Sequence, residues 1–213
     1  MAKTVYDEHL AKKVNQNSRF VMPLAPWRTH LSAALHRNRS LIYARYFQLA
    51  TVRADGTPAN RTVVFRGFTE GDRLQMITDR RSAKMQEIAE KAQAEACWYF
   101  PKTREQFRLG GLLIAVSEAC QDEGLQQLRS HLWRQISDNA RSGFAWPEPG
   151  GDRATMEAFQ VVPPNPETPL ESFTLLLLEP IRVDWLKLRG EPQNRYFYER
   201  QEDGGWSQRE VNP

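Results

Sequence analysis

Asp55-Gly56 stands between two β-rich runs, Tyr46–Val52 and Arg61–Phe68, and this spacing constrains the fold more than any other feature of the chain. An Asp-Gly pair supplies turn chemistry. A short connection between strands makes them antiparallel, because parallel neighbours need a crossover of about a dozen residues or more. Glu70-Gly71-Asp72 turns the chain again into Arg73–Thr78, so three consecutive antiparallel strands are predicted. The same punctuation recurs further on. Pro101-Lys102-Thr103 separates Glu95–Phe100 from Gln106–Ser117, and Glu179-Pro180, Arg189–Pro192 and Asp203-Gly204-Gly205 separate Phe173–Leu178, Ile181–Leu188, Arg195–Arg200 and Trp206–Val211. These segments amount to nine strands.

Helical periods interrupt the strands at three places. Pro26 opens a run in which Trp27, Leu31, Ala34 and Leu35 share a face, and proline suits a first helical turn that has no use for its missing amide. Ser82 precedes a segment with Met85, Ile88 and Ala89 on one side, where its hydroxyl is expected to cap the first turn. Glu123–Ile136 carries Leu125, Leu128, Leu132 and Ile136 three or four apart. The proline-rich stretches Trp146–Asp152 and Val161–Pro169 read as loops. Hairpins with helices inserted between them describe a mainly β, α+β chain: one antiparallel barrel domain over residues 1–213, with 1–40 as an N-terminal helical arm.

Several function classes are disfavoured at once. The longest apolar stretches, Gly110–Val116 and Phe173–Leu178, are far shorter than the roughly 20 residues of a membrane-spanning helix. Met1–Val14 is interrupted by charges where a secretory signal needs an apolar core, so the expected location is the cytoplasm. Cys97 and Cys120 make no disulfide framework and read as buried free thiols. His9, His30, His36 and His131 form no recognisable ligand cluster, so no metal is expected. The net charge of +3 is concentrated in Met1–Arg45, where Lys3, Lys12, Lys13, Arg19, Arg28, Arg37, Arg39 and Arg45 face only Asp7 and Glu8. A solvated helix face accounts for this better than nucleic-acid binding, since aromatic interleaving is missing.

No nucleophile elbow, phosphate loop or dinucleotide fingerprint is present. What stands out is Arg61 on a strand, together with Thr78, Ser82 and Lys84 around a strand-to-helix turn. Two cations and two hydroxyls suit a phosphate, each charge-assisted contact being worth about 1.5–3 kcal/mol. By spacing alone the same residues also fit an ordinary polar surface. The sequon Asn60-Arg61-Thr62 is discounted in a chain read as cytoplasmic.

Four ordered pieces carry a resemblance: Arg61-Thr-Val-Val-Phe-Arg66, Thr78-Asp-Arg-Arg-Ser82-Ala-Lys84, Gln106-Phe-Arg-Leu-Gly-Gly111, and Trp185 followed by Asn194-Arg195-Tyr-Phe-Tyr198 ahead of Pro213. Together they resemble the flavin-binding split-barrel proteins related to pyridoxamine 5′-phosphate oxidase, over about Leu41 to Pro213. The resemblance implies a six-stranded antiparallel split β-barrel with peripheral helices, and a homodimer with FMN at the subunit interface. Arg61, Ser82 and Lys84 then correspond to the phosphate grip, Thr78 to the ribityl-phosphate strand end, and Arg66 to a strand-end cation near the flavin ring. Gln106 corresponds to the glutamine beside the isoalloxazine. Trp185 and Arg195 correspond to residues that complete the site from the neighbouring subunit.

Departures from the family pattern limit what function carries over. An Arg and a His just before the flavin-binding arginine recognise substrate in the oxidase; here those positions are Glu191 and Gln193. The substrate-facing helix segment aligns with Trp133, Ser137 and Arg141, and Ala83 replaces a cation, leaving Arg80 or Arg81 to supply that contact if it is kept. The loop Phe144–Gly150 would approach the flavin of the partner subunit or serve only as a connector. The resemblance implies an FMN-dependent oxidoreductase with an altered substrate pocket or, as the alternative, a non-catalytic FMN-binding carrier or regulator. No side chain stands out as a catalytic acid or base. Arg66 and Gln106 are the candidates for polarising the ring edge, and Arg141 for an anionic substrate.

Overall fold

The computed structural model describes residues 24–213. The readings that fall on Met1–Val14, His9, Arg19 and the greater part of the N-terminal arm lie outside them. The elements run α1 (Pro26–Asn38), β1 (Tyr46–Val52), β2 (Pro58–Val64), β3 (Gly67–Phe68), β4 (Leu74–Asp79), α2 (Ala83–Glu90), β5 (Gln93–Phe100) and β6 (Glu105–Val116). They continue with α3 (Glu123–Gln135), α4 (Asp138–Ser142), β7 (Phe173–Lys187), β8 (Asn194–Arg200) and β9 (Trp206–Val211). Trp146–Asp152 and Val161–Pro169 hold no helix or strand, as their prolines predict, and a short 3-10 turn at Met156–Phe159 lies between them.

All nine strands join one antiparallel sheet in the order β2-β1-β5-β6-β7-β4-β3, with β8 on β7 and β9 on β8. The sheet forks because β7 is long: residues 173–178 pair with Leu74–Asp79 of β4, and residues 182–187 pair with β8 along the same edge. The split barrel is thus a path of seven strands with a β8–β9 hairpin branching from it, where the resemblance implied six. Its interior is lined by Phe47, Leu49, Trp98, Phe107, Leu109 and Val183, with Trp27 and Leu31 of α1 closing one side. A second cluster, in which Leu132 and Trp133 of α3 and Ile136 just beyond it meet Phe173, Leu175 and Leu177, covers the outer face of β7. Burial on both faces explains why Phe173–Leu178 shows no alternation.

Two strand expectations are corrected. The expected strand Arg61–Phe68 is broken: β2 pairs only with β1 and β3 with β4, so two hairpins replace the three-stranded meander. The chain changes partners at Phe65–Arg66, where the Phe65 amide donates to Arg45 O and the Arg66 amide to Gln75 O, both at 2.8 Å. Gly67 follows at φ 146°, a conformation costly for a residue with a Cβ. Conversely, Glu179-Pro180 does not end a strand. The register shifts between Gly110 and Gly111, which pair with Arg182 and Pro180, leaving Ile181 as the extra residue of a bulge where proline's missing donor is tolerated. A Cβ on Gly111 would overlap the Glu179 carbonyl, so this close approach requires glycine.

Candidate functional site

Thr78 lies in the last pair of residues of β4, Ser82 occupies the cap position of α2, and Lys84 sits in that helix's first turn. Lys84 Nζ donates to Thr78 Oγ1 at 2.8 Å and to Ser82 Oγ at 2.9 Å. The Ser82 hydroxyl donates in turn to Asp79 O at 2.7 Å and makes no bond to the helix amides, which corrects the expected capping role. Burial holds the Lys84 ammonium below the usual lysine range, and the neighbouring charge of Arg61 adds to this.

Arg61 reaches the same corner from β2. Its Nη1 donates to Leu49 O at 3.3 Å and to Thr51 Oγ1, and its Nη2 to Glu87 Oε2 at 2.7 Å. Glu87 stands three residues after Lys84 on α2 and was not singled out in the sequence, although that helical spacing was available as a signal. Arg66, at the β2–β3 corner, has a buried Nε with no hydrogen-bond partner, and burial followed by the charge of Arg45 lowers its pKa. In this corner, among the described residues, the ammonium therefore bonds only to hydroxyls and the Arg66 Nε–H is orphaned, as are those of Arg28 and Arg141 elsewhere in the fold. Such donors fit a phosphate and a ring carbonyl, the acceptor groups of FMN.

Gln106 and Arg195 occupy a different surface. Register places Tyr99, Gln106, Leu186 and Arg195 in one row across β5, β6, β7 and β8, facing out of the barrel. Arg195 binds Asp184 with Nε at 3.0 Å and Nη2 at 2.8 Å, and Arg108 shares that carboxylate. Burial would raise the Asp184 pKa, but the bonds from the two arginines outweigh it and hold the carboxyl below its usual range. Trp185 is on the other face, 5% exposed, with Nε1 donating to Glu105 Oε2 at 3.1 Å and its ring stacked on His30 at 4.1 Å. The fold therefore gathers Arg61, Thr78, Ser82 and Lys84, sets Gln106 and Arg195 on an outward row, and separates Trp185 from both groups.

The substrate candidates fall in two places: Trp133, Ser137 and Arg141 lie together, with Arg141 Nη1 donating to Trp133 O at 3.2 Å, and Glu191 and Gln193 share a loop. Trp133 is fully buried against Phe173, with its indole N–H on Asn165 O at 2.9 Å. Ser137 caps α4 by accepting from the Ala140 amide at 3.3 Å. Arg141 is buried, donates to Ile136 O at 2.6 Å, pairs with Asp138 and leaves its Nε without a partner. Glu191 and Gln193 lie far from these in sequence, on the β7–β8 loop, where with Arg104 and Arg189 they line an open concavity of about 750 Å³.

Arg80 and Arg81, the expected stand-ins for the cation missing at Ala83, are both engaged within the chain. Arg80 pairs with Glu171, and Arg81 pairs with Asp79 at 2.6 Å while donating to Trp146 O at 2.9 Å and Phe144 O at 3.3 Å. Arg81 thus fastens the root of the Phe144–Gly150 loop to the turn before α2. Both cysteines are free, and they are half-buried instead of fully buried as expected. In the basic segment Arg28 pairs with Asp72 at 3.4 Å and Arg37 with Glu105 at 2.9 Å. Among the described residues no group of three or more His, Cys, Asp or Glu is arranged to hold a metal, and no helix is long and apolar enough to cross a membrane.

Residues 24–117 match the model of the pyridoxamine 5′-phosphate oxidase FMN-binding domain. The pyridoxine/pyridoxamine 5′-phosphate oxidase 2 of Arabidopsis thaliana is 38% identical over 196 residues, covering 89% of this chain and 98% of its own. Among solved structures, a pyridoxamine 5′-phosphate oxidase-related, FMN binding protein from Nostoc punctiforme PCC 73102 is 53% identical, with a TM-score of 0.87 over 90% of this chain and 100% of its own. PhzG from Burkholderia lata 383 shares the fold, with a TM-score of 0.72 at 18% identity over 94% of this chain and 98% of its own. The gathered phosphate-type donors, the split barrel and these relatives lead to one conclusion: the chain belongs to the pyridoxamine 5′-phosphate oxidase FMN-binding family, whose cofactor is FMN.

Proposed function

We propose that the protein is a homodimeric, FMN-dependent oxidoreductase whose substrate is not recognised through the phosphate contacts of the oxidase. The observation that carries the cofactor half of this reading is Lys84, half-buried, bonded only to hydroxyls and adjacent to Arg61. Arg61, Thr78, Ser82 and Lys84 hold the phosphate, and the free N–H of Arg66 meets an acceptor on the ring. FMN, when bound, supplies hydride and electron transfer, and the chain contributes grip, ring polarisation and access. Gln106 and Arg195 serve the ring bound by the partner subunit, which is supported by their outward row and its lack of any hydrogen bond to the phosphate group of residues. The oxidase name of the Arabidopsis thaliana relative supports catalysis. Two free cysteines suit a reducing compartment, and the cytoplasm is the proposed location.

At the substrate end, Glu191 and Gln193 offer one carboxylate and one amide where a substrate phosphate would need cations. Arg104 and Arg189 line the same concavity, so the carboxylate stands among cations and suits a polar or zwitterionic group. The test is a visible spectrum of the purified protein with identification of the acid-released flavin, followed by turnover assays across amines, pyridoxal-type compounds and quinones. A protein that stays colourless after FMN is added overturns the reading. Bound FMN without turnover of any of these would favour the second reading, a flavin carrier or regulator, which the same loss of substrate cations supports.

A further inference from the structure

Glu87 is the only carboxylate among the described residues that ion-pairs with Arg61. Its Oε2 accepts from Arg61 Nη2 at 2.7 Å and from Thr51 Oγ1 at 2.5 Å, while Arg61 also donates to Thr51 Oγ1, so the three side chains close a ring. Thr51 is 2% exposed and anchors the ring to β1. Arg61 spends three of its five N–H donors on Leu49, Thr51 and Glu87, which leaves two for a ligand. The ion pair is largely withdrawn from water, with side-chain exposures of 23% and 11%. Its charges are therefore felt more strongly than those of a surface pair.

We propose that Glu87 is a positioning residue for the phosphate site: it fixes the Arg61 guanidinium through the Thr51 ring and lowers the site's charge from two unopposed cations to a net single positive charge. This rests on the reading of Arg61 and Lys84 as the phosphate grip. The two functions of Glu87 act in opposite directions on a phosphorylated ligand. Fixing Arg61 removes the entropy of ordering a long side chain and strengthens binding, whereas the carboxylate's own charge repels the phosphoryl oxygens and weakens it. The negative charge also relieves the repulsion between Arg61 and Lys84, which lets both cations occupy one corner before any ligand arrives. Flavin without a phosphate feels neither effect.

The two functions separate by substitution. Glu87→Gln keeps an acceptor of the same shape for Arg61 and Thr51 and removes only the charge; Glu87→Ala removes both. Dissociation constants for FMN and riboflavin, measured by fluorescence titration of the flavin-stripped full-length protein, give the contribution of the phosphate as a ratio. Glu87→Gln is expected to tighten FMN about three- to tenfold and Glu87→Ala to weaken it about tenfold, with riboflavin unchanged in both. Added salt should erode the gain of the Gln variant first, because that gain is electrostatic. Glu87→Gln, being isosteric, decides the matter should the Ala variant fold poorly. If it binds FMN no more tightly than the wild type while the wild type prefers FMN to riboflavin, the role of Glu87 is overturned and the phosphate site stands. A wild type that binds FMN and riboflavin equally overturns the phosphate site and this inference with it.

Discussion

Trp185 and Arg195 stand on opposite faces of one hairpin: Trp185 pairs with Tyr196 and points into the barrel, while Arg195 pairs with Leu186 and points out. The alternation of side chains along a strand forces this, because residues paired directly across strands share a face and their neighbours take the other. The resemblance implied a flavin contact for both positions, but their physical surroundings differ.

Different consequences of truncation follow. Trp185→Ala removes an indole from the interior and leaves the Glu105 carboxylate without its N–H donor, so it should cost about 3–5 kcal/mol of stability in urea unfolding. Arg195→Ala removes a partly exposed guanidinium and should cost about 1 kcal/mol or less, since Arg108 still satisfies Asp184. Flavin affinity should show the reverse emphasis, falling in the Arg195 variant with the fold intact. An Arg195→Ala protein that melts with the Trp185→Ala protein would make Arg195 a structural residue.

The phosphate grip gives the second prediction. Arg61→Ala with Lys84→Ala should weaken FMN by about 3–6 kcal/mol, two charge-assisted contacts, while riboflavin affinity changes much less. Equal losses for the two ligands, read by flavin fluorescence, would refute the assignment. The double variant also strands Glu87 without its ion-pair partner, so its stability should be measured alongside.

Backbone approach gives the third. Gly111→Ala forces a Cβ onto the Glu179 carbonyl, and neither β6 nor β7 can retreat without breaking the bulge, so an overpacking cost of about 1–3 kcal/mol or more is expected. At Gly110 the same methyl meets Nε of Arg182 at 2.5 Å and its Cγ at 3.0 Å, atoms of a flexible side chain that can change rotamer, not backbone. Gly110→Ala should therefore be the milder of the two in chemical denaturation.

These contrasts mark how far the amino-acid pattern could be read. Six of the nine expected strands, β1, β4, β5, β6, β8 and β9, stand as read because local propensity and tertiary pairing agree there. Pro180 misled for a physical reason: proline ends most strands, and only the pairing partner, with its glycine at position 111, reveals a bulge that accommodates it. The change of partners at Phe65–Arg66 was hidden because Arg61–Phe68 keeps strand composition across a barrel corner. In the site, Thr78, Ser82 and Lys84 were legible as a group because seven consecutive residues carry them. Arg61 joins them only through the fold; of the carboxylates that hold Arg61 and Arg195, Glu87 shows only its helical spacing from Lys84 and Asp184 carries no local motif.

His30 supplies the last prediction, on pH. Its ring stacks on Trp185 beneath α1, and burial, with Lys187 next in weight, disfavours the imidazolium; Glu105 opposes this and Arg37 adds to it. The folded state therefore binds this proton less readily than the unfolded chain, whose histidine titrates at its ordinary value of 6.5. Stability from this source is complete above that value. It declines as the pH falls through 6.5, where the unfolded chain takes up the proton first, and it stops declining once the folded imidazole is protonated as well. Urea unfolding of the wild type should weaken between pH 7.5 and about pH 5, and His30→Gln should lose the part of that slope due to His30. The difference between the two proteins isolates this group from the other histidines. Identical slopes would mean that the stacked imidazole accepts its proton in place, with Glu105 offsetting what burial costs.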